Sequence, residues 1–210
     1  MKGAVTVQEI GDAKIHSYIS PEKSGSVAGH IVEGPKSLVV IDAQFLRPFA
    51  KELRAYADGL KKPIVPKGDT AAGKKTIDGI TYVFETVKDA EDGAQLVITL
   101  PELNVLIARD LVFNKVHLYV GNDTLEGWKK ALSALKKKTG IKTVLAGHGK
   151  PGGPALYDQT LAYLDVAEEA LKEAKKGGHD VKPLLLKKFP DYKAAFLLDI
   201  SNGMLFKTGK

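Results

Sequence analysis

Thr143 to Gly153 reads TVLAGHGKPGG. Thr143 to Ala146 form a buried-type strand, and it runs into Gly147-His148-Gly149, where glycine on either side of one imidazole permits close backbone approach. Ligand sites in layered folds of helices and sheets gather at strand ends, where the chain turns and backbone polar groups are free. Two further strands end in the same manner: Ser37 to Ile41 leads into Asp42, and Val105 to Ala108 leads through Arg109 into Asp110. Asp42, Asp110 and His148 are therefore the candidate cluster. Acidic residues also end strands as helix caps, so position alone assigns them no chemistry.

Outward from these three ends, the rest of the chain falls into alternating patterns. Val5 to Ile10 and Lys14 to Ser20 flank the Gly11-Asp12 turn, and Val27 to Glu33 and Ser37 to Ile41 flank Gly34-Pro35, a β-meander of four strands. The period then changes, because Leu46, Phe49, Leu53 and Tyr56 recur at three and four residue steps on one face of a helix ending near Gly59. Residues 60–75 (LKKPIVPKGDTAAGKK) read as an irregular connector. Ile77 to Val87 resumes strand character around a turn at Asp78-Gly79, and Gln95 to Leu100 and Val105 to Ala108 form a hairpin through Pro101 to Asn104. Asp123 and Glu126 match a capping box for a helix carrying Trp128, Leu132 and Leu135. Pro154 opens a long helix to about Lys175 with Leu161, Leu164 and Leu171 inward, and Val181 to Phe189 is a weaker helix. Phe196 to Ile200 fits a helix turn or a strand equally well. This order of elements predicts one α+β domain over residues 1–210, with two sheets packed on each other and helices outside.

Composition narrows the chemistry. Among 210 residues there are 31 Lys plus Arg, 25 Asp plus Glu, a net charge of +6 and no cysteine. Without cysteine there is no disulfide scaffold, no cysteine-ligated zinc, no iron-sulfur cluster and no thiol nucleophile, so any metal must use His, Asp or Glu. The positive charge invites a nucleic-acid reading, but arginine occurs only at Arg47, Arg54 and Arg109. Bidentate recognition of bases and phosphates favours arginine, and the lysine blocks read as solvated helix faces, so no nucleic-acid partner is expected. No apolar run approaches the roughly 20 residues that span a bilayer, and Met1 to Ile10 lacks the layout of a secretion signal. The expectation is no membrane partner and a cytoplasmic chain, or one already processed.

The five histidines are His16, His30, His117, His148 and His179, and no two lie within ten positions of each other. There is no HxH or HExxH chelate. His179, beside Gly177-Gly178, reads as exposed and His16 as a strand surface residue. His30 and His117 are open between two readings, a partly buried hydrogen-bonded residue or a side chain lining a cleft. The chain also lacks GxSxG and GxxxxGK[ST]. Glu91, with Asp89 and Asp92, reads as a solvated acidic turn.

Taken in order, GHIVEGPKSLVVIDAQF (Gly29 to Phe45), the amphipathic helix, QLVITLPELNVLIARDLVF (Gln95 to Phe113) and TVLAGHGKPGG resemble the metallo-β-lactamase fold superfamily. That resemblance implies an αββα sandwich and, in most members, zinc-dependent hydrolysis of lactams, thioesters, esters or phosphoesters. Asp42 matches the family's aspartate behind the ligands, although Ala43-Gln44 replaces the usual Thr-Gly. Asp110 matches the aspartate that bridges two metals, and His148 matches the last histidine ligand.

The family's HxHxDH segment, expected soon after Lys62-Pro63-Ile64, does not occur in the sequence, which runs through Val65-Pro66-Lys67 to Thr76-Ile77-Asp78-Gly79. Lys88-Asp89-Ala90-Glu91 stands where a further histidine ligand is usual. The resemblance thus implies a sandwich trimmed in its N-terminal half, by natural deletion or by construction, with Asp110 and His148 as residual ligands. Asp42, His30 and His117 are the residues that could complete them. Catalytic zinc needs about three protein ligands, so the expected cofactor is none or weakly bound zinc. The expected function is a degenerate scaffold with little or no hydrolase activity. The alternative is a metal-dependent hydrolase of ester, thioester or lactam substrates with a reduced or rebuilt site on Asp110 and His148. A free sheet edge at the gap predicts a homodimer, with exchanged elements as one form of it.

Overall fold

The computed structural model describes residues 1–66, 72–91, 93–122 and 124–206, apart from the side chain of Asp89. Strands β1 (Ala4–Ile10), β2 (Ala13–Ile19), β3 (Ala28–Glu33) and β4 (Leu38–Ile41) form one antiparallel sheet in chain order. Helix α1 (Arg47–Gly59) follows. The second sheet takes β5 (Gly73–Ile77), β6 (Ile80–Ala90), β7 (Gly93–Leu100), β8 (Val105–Phe113) and β9 (Thr143–His148), again in order. Its pairs are antiparallel except β8 with β9, which are parallel and joined through helix α2 (Leu125–Lys136), because a parallel pair needs a crossover and not a tight turn. Helices α3 (Ala155–Glu173), α4 (Lys182–Lys188) and α5 (Phe196–Leu205) complete the chain.

The two-residue period of the strands sorts their side chains into layers. On β3, Ile31 packs with Phe49, Leu53 and Ala57 of α1, whereas its neighbour Val32 packs with Ile15, Ile107 and Leu145 between the sheets. On β8, Val105 and Ile107 face that same middle layer, while Leu106 and Ala108 join Trp128, Leu132 and Leu164 beneath α2 and α3. Three apolar layers between four tiers of secondary structure make an αββα sandwich. Fully burying one such side chain is worth roughly 1.5–3 kcal/mol, so a register slip that turned Val32 outward would be heavily penalised.

Several local readings change. Residues 73–75 of the expected connector belong to β5, and residues 67–71 lie outside the described residues. β8 does not stop before Asp110 but continues to Phe113, its register with β9 broken around Arg109. The expected capping box involves Asp123, outside the described residues; α2 has Thr124 at its N-cap with no side-chain cap bond, since the Thr124 hydroxyl donates to the Glu91 carbonyl. The ambiguous segment near Phe196 is helical, its apolar face anchored by fully buried Leu198. Leu46 stands at the N-cap of α1 and is 41% exposed, so the helix face begins at Phe49.

β4 is an edge strand. Leu38 exchanges backbone hydrogen bonds with Pro63 and Val65, both 2.9 Å, the beginning of a parallel partner strand. Beside the remainder of β4 lies a largely apolar cavity of about 540 Å³, lined by Val39, Ile41, Ile64, Phe84 and Ile98, with Asp42 and Arg109 among its polar lining. Among the described residues no helix is long and apolar enough to cross a membrane.

Candidate functional site

The three strand ends meet along one rim of the sandwich through two contacts. Asp42, just past β4, accepts a hydrogen bond from Arg109 Nε at 2.7 Å, and the Asp110 carboxylate stands 3.5 Å from His148 Nε2. Arg109 and Asp110 are neighbours on β8, so these pairs sit side by side. Asp42 (φ 61°) and Arg109 (φ 53°) both occupy the left-handed region, which strains residues with a side chain and tends to persist where surrounding structure demands it. Burial pushes the Asp42 carboxyl above its ordinary range; the Arg109 guanidinium opposes this and the Asp110 charge adds to it.

His148 is held from two sides. Its ring stacks on Phe113 with centroids 4.4 Å apart and planes 6° apart, and its Nδ1 lies 2.7 Å from the Gly25 carbonyl oxygen. A carbonyl only accepts, so Nδ1 carries a proton and Nε2 is the nitrogen turned to Asp110. Gly147 makes this approach possible, because a Cβ there would collide with Asp110 Oδ1 and with the Arg109 backbone. Asp110 opens onto a separate polar cavity of about 470 Å³ that Gln95, Tyr119 and Asn122 also line.

The other histidines are engaged elsewhere. His30 is fully buried, with Nε2 donating to the Ala146 carbonyl at 3.1 Å and Nδ1 accepting from the Ser17 hydroxyl at 2.9 Å. Burial lowers its pKa to about 4 against the pull of that carbonyl, so it is neutral at pH 7 and ties β2 and β3 to β9. His117 is buried against Tyr163 and Tyr192, with Nδ1 2.9 Å from the Tyr163 hydroxyl and Nε2 unpartnered. Burial, and secondarily the Lys182 charge, lowers it to about 4 as well. His16, expected at a strand surface, is buried between Tyr56 and Glu33, both 2.8 Å away. Among the described residues no three His, Asp or Glu side chains converge as metal donors would.

Arg109 is the residue the sequence reading passed over. Its only signal was position: it directly precedes Asp110, and the other two arginines lie on α1.

No family model and no curated protein matches the sequence. Solved structures do match, over most of the chain. A metallo-beta-lactamase from Pontibacter korlensis has a TM-score of 0.62 at 20% identity, covering 77% of this chain and 99% of that one. The metallo-beta-lactamase IND-7 has a TM-score of 0.61 at 15% identity, covering 77% and 98%. The metallo-beta-lactamase FIM-1 from Pseudomonas aeruginosa, in its mono-zinc form, has a TM-score of 0.55 at 17% identity, covering 80% and 98%. This chain has the metallo-β-lactamase fold. At these identities the likeness speaks to architecture.

Proposed function

We propose that this protein is a metallo-β-lactamase-fold scaffold without the dinuclear zinc centre, acting by binding and not by hydrolysis. One observation carries the reading: among the described residues the Asp110 and His148 pair has no third donor. Asp42 is taken by Arg109, both nitrogens of His30 are taken by Ser17 and Ala146, and His117 packs among tyrosines. Two donors fall short of the roughly three that a catalytic zinc ion needs, so the residues present do not fit the group. Zinc titration by calorimetry on the intact chain, with assays on a lactam, an aryl ester and a thioester, tests this. The expected result is no retained zinc after dialysis and no zinc-dependent turnover. Near-stoichiometric zinc that is lost in His148→Ala would overturn it in favour of a metal-dependent hydrolase with a reduced site on Asp110 and His148.

The open edge supports a homodimer as part of the same reading. Val40 on β4 and the adjoining Phe45, 84% exposed, present apolar surface beside an incompletely paired strand. Sedimentation should show a dimer at micromolar concentration; monomer throughout would remove this element.

A further inference from the structure

A third cavity, of about 510 Å³, lies where the loops after β2, β8 and β9 meet the segment before α5, and Lys2, Lys115, Lys150 and Lys193 all line it. None of the four ammonium groups forms an ion pair with a carboxylate among the described residues, although the Lys2 backbone amide donates to Glu52. On α2, by contrast, Lys129 meets Asp165 and Glu168, and Lys136 meets Asp158. Glu22 is the one acid in the lining, and its carboxylate accepts a hydrogen bond from the Ala194 amide at 3.4 Å. Four like charges around one concavity repel one another, and that repulsion is relieved when an anion enters.

The walls are built and cross-braced. Gly149 N donates to Ser26 O at 2.9 Å, Asn114 N to His148 O at 2.9 Å, Lys193 N to Lys115 O at 3.0 Å, and Asn114 Nδ2 to Lys150 O at 2.8 Å. Three lining residues hold left-handed backbone, Ser26 (φ 50°), Lys115 (φ 52°) and Gly149 (φ 85°). Ser26, which also lines the cavity, is only 4% exposed.

We propose that this cavity binds a compact, multiply charged phosphate-bearing small molecule, with the four lysines as point charges and the Ser26 hydroxyl donating to a phosphate oxygen. Ammonium groups on flexible stems suit the rounded charge of phosphate, whereas a planar carboxylate is better matched by arginine. The volume falls in the range of small-molecule pockets, and its concavity fits a single compact anion better than a long duplex. The site is independent of whether a metal binds at Asp110 and His148.

Calorimetry with inorganic pyrophosphate on the intact chain, at low and at physiological salt, is the test. One saturable site is expected, weakened at least about tenfold in Lys115→Gln/Lys193→Gln and unchanged in Lys187→Gln/Lys188→Gln, which removes the same charge from α4. Ser26→Gly removes the hydroxyl without altering charge, in a residue type at ease with positive φ, and should weaken binding several-fold. Absence of saturable binding, equal weakening in both lysine pairs, or displacement by a short duplex DNA at equal phosphate concentration would each overturn the proposal, the last two by showing attraction to net charge alone.

Discussion

The two sheets of this sandwich are finished to different degrees. The β5 to β9 sheet carries α2 and α3 over its outer face, and Trp128 is almost wholly buried there, donating from Nε1 to the Leu111 carbonyl at 2.9 Å. Among the described residues the β1 to β4 sheet has only α1 outside and ends at β4 with one residue's worth of parallel pairing. At that border Asp42 meets the Arg109 guanidinium. The contrast teaches that an αββα core can persist when one edge is left short, provided the charge exposed there is met locally.

The largest effect should come from the finished side. Trp128→Ala is expected to cost about 3–5 kcal/mol, read as a shift in the urea midpoint, because it opens a cavity against Phe113 and orphans a carbonyl. A loss under about 1 kcal/mol would mean that stability does not reside in this half. Next comes acid, acting on the seam between the sheets. His30 has a folded pKa of about 4, below the roughly 6.5 of an unfolded histidine. As pH falls below the unfolded value the denatured chain takes up a proton that the fold refuses, so stability declines between about 6.5 and about 4 and this contribution is flat below. For His30 that loss is on the order of 3 kcal/mol. Urea midpoints against pH should show it, and His30→Asn should flatten the slope.

The unfinished edge should respond less. Arg109→Met strands Asp42, and because the pair's side chains keep 33% and 17% of their exposure, the cost is about 1–2 kcal/mol. Combining it with Asp42→Asn should recover part of the loss in a double-mutant cycle, whereas strict additivity would show that the pair does not interact. The smallest effect belongs to the solvated helix pair Lys130 and Glu126. Lys130→Ala should leave the urea midpoint unmoved within measurement scatter.

Strand and helix placement was legible because burial imposes a period. Leu132, Leu135, Leu164 and Leu171 all turned inward as their spacing requires, and Asp42, Asp110 and His148 do share one rim. What spacing could not convey was backbone hand and reach. The left-handed kink at Arg109 lets β8 run on past Asp110, and nothing in a pattern of apolar residues marks a kink at an arginine. Nor could spacing show that His16 would be buried by Tyr56 from α1, since that contact joins residues 40 apart. The lysines around the third cavity come from four distant segments, and only the closed fold assembles them.

Gly147 carries a consequence for anyone who would refit this rim with new chemistry. Since any side chain there would strike both Asp110 and the main chain of Arg109, that position is closed to recruitment, and an added donor has to arrive from across the groove, where Tyr119 and Asn122 already face the aspartate's cavity. Natural drift and deliberate redesign meet the same barrier: the bare glycine that allows β8 and β9 to touch leaves no room for a third hand between them.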